Sequence, residues 1–132
     1  MAIVRNIVAV IVGAFVCMFL NGWLLGKMME LVGTPEGFVP TDLASYGLLE
    51  TKHYLSPFVA HAVPSFVGGL IAALIAANHK ITFALVVGGL HFVGGVMAAF
   101  MIPAPAWFIV LDLVVAYLPM AWLGGKLVTR KA

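Results

Sequence analysis

Four long apolar runs separated by short polar punctuation organise the chain, at residues 3–26, 55–77, 81–102 and 105–127. Each is close to the ~20 residues with which an α-helix crosses about 30 Å of hydrocarbon. The pattern predicts an all-α fold: one transmembrane domain over residues 1–132, built as an antiparallel bundle of four transmembrane helices. The start, MAIVRNIVAVIVGAFVCMFLNGW, has the basic residue and apolar stretch of a secretory signal. It lacks a small-x-small cleavage site and its apolar run is too long, so it reads as a retained helix.

The connections differ in kind. Asn78, His79 and Lys80 form a hairpin so tight that the helices on either side must be antiparallel neighbours. Pro103 and Pro105 turn the chain between the third and fourth runs, with Trp107 placed as an interfacial anchor. The first connection, residues 27–54, is long and carries Glu30, Glu36, Asp42 and Glu50 against Lys27 and Lys52. Within it PEGFVP is extended or turned, and Thr41 and Asp42 are candidate caps for a short helix through LASYGLLE. That helix would lie on the outer membrane surface or cap the mouth of the bundle. Arg5, Lys80, Lys126, Arg130 and Lys131 fall on the side opposite Lys27 and Lys52. The positive-inside rule then puts both termini in the cytoplasm and argues against dual topology.

Composition removes whole classes of function. With 64% hydrophobic and 9% charged residues and a mean hydropathy of +1.14, the chain is no water-soluble globule, and its net charge of +2 supplies no nucleic-acid surface. The lipid bilayer is its expected partner. A single cysteine, Cys17, allows neither an intrachain disulfide nor a Cys-x-x-Cys site and reads as packing. No cofactor is expected.

Small residues carry a second pattern. FVGGLIAALI at 66–75 matches FVGGVMAAFM at 92–101 in Phe, Val, both Gly and both Ala. Ser65, Gly68, Gly69, Ala72 and Ala76 form one stripe, and Gly88, Gly95 and Ala98 another. In lipid, where van der Waals contact drives association, such stripes let helices approach closely. The match reads as convergent packing, with an inverted repeat of the transporter kind as the alternative.

Three ionisable side chains fall inside the spans: His61, His91 and Asp112. Such groups cost a few kcal/mol in hydrocarbon and normally face a partner inside the bundle. At ~1.5 Å per residue, His61 and Asp112 lie level, about 10 Å below the outer boundary, and His91 nearer the midplane. A His–Asp pair at one depth suits a proton relay, a cation site or a simple helix clasp. Pro64 and Pro119 interrupt the backbone ladder near these groups, as in helices that line a site. Asn21 could complete a polar ring, and His91 shares a face with Gly88 and Gly95. Tyr117, five residues from Asp112, is expected on another face as an ordinary bundle tyrosine, and His53 and His79 as solvated interfacial residues. No i, i+3 or i, i+4 pairing of metal ligands, catalytic-triad spacing, phosphate loop or His-Glu-x-x-His is present, so neither a metal site nor an enzyme is expected.

The segments KHYLSPFVAHAVPSFVGGLIAALIAANHK (52–80) and PAPAWFIVLDLVVAYLPMAWLGGKL (103–127) resemble a family of small uncharacterised bacterial four-span membrane proteins. The likeness covers most of the chain. The family's Pro-Glu-Gly loop, second-span histidine and Leu-Asp-Leu map to Pro35, Glu36, Gly37, His61 and Asp112; Pro64 stands where many relatives have Gly. The resemblance implies the fold and a place in the bacterial inner membrane, and carries no activity. Two expectations of function follow: a homo-oligomeric channel or transporter with its polar site in the outer half of the bundle, or an accessory subunit of a larger membrane complex in which the same groups fasten helices.

Overall fold

The structure, a computed structural model, describes residues 1–130. Lys131, one of the basic residues used to orient the chain, lies outside them. Among the described residues there is no strand; the elements are α1 (Ala2–Val32), two 3-10 turns (Leu43–Leu48 and Thr51–Tyr54), α2 (Leu55–Ile75), α3 (Lys80–Met101), α4 (Ala106–Val115) and α5 (Leu118–Thr129). Four helical stretches are long and apolar enough to cross a membrane, the last being α4 and α5 taken together. Large apolar side chains such as Ile11, Phe15, Phe19 and Phe100 are exposed on the outside, as expected of a bundle whose surroundings are lipid.

Two boundaries differ from the sequence expectation. The first helix runs to Val32 rather than ending near residue 26, and its 31 residues span about 46 Å at ~1.5 Å each. Lys27 and Glu30 pair across one turn at 3.2 Å and keep the polar extension helical until Gly33, whose φ of +87° only glycine adopts freely. The loop therefore begins at residue 33. The fourth run is two helices, because Pro119 cannot donate to the preceding turn; Tyr117 sits at φ −111° and ψ −82°, and the ladder resumes where Ala121 N–H donates to the Tyr117 carbonyl at 3.0 Å.

α2 is the central helix, packing against α1, α3 and α5. Its small residues make that possible. A Cβ on Gly68 would lie 2.8 Å from Cys17 Cβ and 3.0 Å from the Gly13 carbonyl oxygen, and one on Gly69 would lie 2.8 Å from Ala121 Cα. A Cβ on Gly124 would fall on the Phe66 carbonyl. Gly88 faces the Ala121 methyl, and Gly95 lies against the Tyr117 hydroxyl. Cys17, Ala72 and Val87 close the core below. The matched segments of α2 and α3 do not share surroundings, since Gly68 is buried whereas its counterpart Gly94 is exposed with nothing near.

One end of the bundle is tied by polar contacts. Arg5 Nε donates to the Ile75 carbonyl, Asn6 bonds Asn78 at 2.9 Å and accepts from Ala77 N–H at 2.9 Å, and Lys80 Nζ donates to the Ala73 and Ala76 carbonyls at 2.8 and 2.9 Å. These satisfy the last carbonyls of α2 with cations, the sign its dipole favours. Gly125 of α5 packs there against Ala84 and Ile81.

The loop folds over the opposite end. Asp42, not Thr41, caps the first 3-10 turn, accepting from Ala44 N–H at 3.1 Å. Ser45 Oγ accepts from Val39 N–H at 3.0 Å, and Tyr46 donates to the Pro40 carbonyl at 2.9 Å. The second 3-10 turn was not expected; there His53 is buried, not solvated, its Nδ1 accepting the Glu50 N–H at 2.8 Å in a capping box. His79 is exposed in the tight turn, at a left-handed φ of +45°.

Candidate functional site

The intramembrane polar residues form two linked groups. His61, on α2, and Asp112, on α4, meet directly, with His61 Nδ1 2.9 Å from each carboxylate oxygen. A carboxylate only accepts, so Nδ1 carries the proton and donates it. Tyr117 donates its hydroxyl to Asp112 Oδ2 at 3.0 Å, and its ring stacks on His61 with centroids 5.3 Å apart. Asp112 is only 5% exposed and Tyr117 fully buried, so the carboxylate has lost its water and is served by these donors instead. Tyr117 is thus part of the site and not an ordinary bundle tyrosine. The helix break at Ala116–Tyr117 explains the difference, because angular spacing of 100° per residue holds only along an unbroken helix.

The second group is centred on His91 of α3. Its Nδ1 is 2.8 Å from Ser65 Oγ and 3.2 Å from Cys17 Sγ, while the Ser65 hydroxyl donates to the His61 carbonyl at 2.7 Å. Ser65 has one proton and spends it on that carbonyl, so His91 must donate from Nδ1 to Ser65. Both histidines are thereby held by Nδ1, each with Nε2 making no hydrogen bond among the described residues. Their rings are edge to face with centroids 5.9 Å apart, and the Tyr117 ring touches both. Ser65 and Cys17, taken from the sequence as packing residues, are members of this group.

Asn21 does not complete the ring. It makes no hydrogen bond to His61 or Asp112, and its Oδ1 is buried without a partner among the described residues. Among the described residues no group of three or more His, Cys, Asp and Glu side chains is arranged to hold a metal ion.

A cavity of about 210 Å³ runs from beneath the loop to the first group. Phe38, Tyr46 and Leu49 of the loop roof it, Met29, Ala98 and Phe108 form walls, and His61 and Asp112 lie at its inner end. Tyr54 and Phe108 pack ring to ring beside it at 4.8 Å. Ser56 also lines it, 2% exposed, its hydroxyl oxygen buried without a partner among the described residues. Polar groups this isolated in an apolar chamber fix the orientation of whatever enters. No protein family, characterised protein or solved structure was found to match the chain.

Proposed function

We propose that this chain is a small multi-pass protein of the bacterial inner membrane, an antiparallel four-span bundle with cytoplasmic termini, and that as a homo-oligomer it transports a small solute taken up from the non-cytoplasmic side. The observation that carries the reading is the cavity that ends on the His61–Asp112 pair. A clasp that only holds helices together has no use for a chamber leading to it, and burying such a pair beside empty space forgoes packing. The carboxylate fixes the His61 ring through Nδ1, and in the neutral imidazole Nε2 is an acceptor toward an incoming group. Sidedness rests on the basic residues Arg5, Lys80, Lys126 and Arg130, set at the end opposite the loop.

The second reading, an accessory subunit of a larger membrane complex, draws on Asp112 joining α2 to the α4–α5 break through His61 and Tyr117. Native mass spectrometry of wild type and Asp112→Asn separates the two. The transport reading expects a defined oligomer and a stoichiometric small-molecule mass that the variant loses. A bare monomer in both proteins overturns it in favour of the accessory subunit.

A further inference from the structure

The chemistry of the cavity narrows its occupant. Its walls are apolar and aromatic, and among the described residues that line it the one carboxylate is that of Asp112. Neither Lys nor Arg lines it, and His53, whose Nδ1 accepts the Glu50 N–H, is uncharged in that bond. An anion would meet the buried Asp112 carboxylate with neither Lys nor Arg beside it, and like-charge repulsion at low dielectric disfavours it. The unfilled hydrogen-bonding capacity at the inner end is mostly accepting. Asp112 takes one bond from His61 and one from Tyr117 out of about four lone-pair sites, and Nε2 of a neutral His61 is an acceptor with no partner among the described residues. The Tyr54 and Phe108 rings supply faces that attract both an apolar body and a positive charge.

Resting on the reading of the cavity as a solute site, we propose that its occupant is a small lipophilic amine, bound as the cation, with its ammonium group at Asp112 and His61 Nε2 and its apolar body against Tyr54 and Phe108. Size and polarity agree, since the chamber has room for one compact ring and a short chain but few groups to satisfy a multiply polar solute.

Three probes that share one apolar body isolate the charge: 2-phenylethylamine, 2-phenylethanol and phenylacetate, titrated calorimetrically into the detergent-solubilised full chain. The amine is expected to bind roughly tenfold or more tighter than the alcohol, the difference between charged and neutral hydrogen bonds, and phenylacetate not at all. Asp112→Asn should bring amine and alcohol to parity. Ala98→Phe, which fills the cavity from the α3 wall, should abolish binding of all probes, and retained binding of the alcohol by Asp112→Asn shows that this variant is folded. Equal or tighter binding of alcohol or acid overturns the cationic occupant while leaving the cavity as a solute site. Absence of binding by all three, or binding indifferent to Ala98→Phe, overturns both.

Discussion

Asp112 is the residue on which the interior depends. Removing either member of its pair strands the other in an apolar surrounding, so His61→Ala and Asp112→Ala should each destabilise the solubilised protein by about 1–3 kcal/mol. The double variant should lose little more than the worse single one, and thermal unfolding in detergent measures the cycle; strictly additive losses would mean that the two groups do not act as a pair. Tyr117→Phe keeps the ring stack and removes one donor, at a cost of about 1 kcal/mol. His61 and Asp112 were legible in the sequence because an ionisable residue in an apolar run needs a partner and the two share a depth. Tyr117 was hidden by the helix break. Ser65 was hidden by its company, since a serine in a stripe of Gly and Ala reads as another small residue until its hydroxyl is seen to hold His91.

At the scale of elements, the helices are held by approach distance more than by interlocking bulk. Gly69→Ala places a methyl against the Ala121 backbone, which cannot yield locally, and overpacking of this kind should cost about 1–3 kcal/mol. Gly89→Ala meets nothing within 4 Å and should be neutral or gain up to about 1 kcal/mol from helix propensity. Melting temperatures of the two variants check the contrast, and equal losses would deny that α2 and α5 touch through Gly69. The second and third spans were read within two residues, because runs of apolar residues bounded by Asn-His and by Pro leave little freedom. The end of α1 was misplaced because charged residues signal the limit of hydrocarbon, not the limit of a helix; Lys27 and Glu30 are compatible with both. The loop's route over the bundle was open in the sequence. Its aromatic and leucine side chains suited a membrane surface as well as a roof, and only the packing partner separates the two.

For the whole molecule, orientation is the property most open to direct test. With Cys17 replaced by Ala, Glu36→Cys should react with a membrane-impermeant maleimide on intact cells, and Thr129→Cys only after permeabilisation. The reverse pattern would invert the topology, and labelling of both on intact cells would mean two orientations. The structure also joins an open half to a closed one. Beneath the polar groups, Gly13 and Gly68 bring the backbones of α1 and α2 together, beside Cys17, Ala72 and Val87. A side chain swinging aside would not open that level, because the Gly13 and Gly68 backbones meet there as well. Anything crossing that plane must wait for entire helices to part, a collective motion on the microsecond-to-millisecond scale instead of the nanoseconds of rotamer flips. In the transport proposed above, a barrier of that construction would hold the solute between strokes and make turnover a property of helix separation.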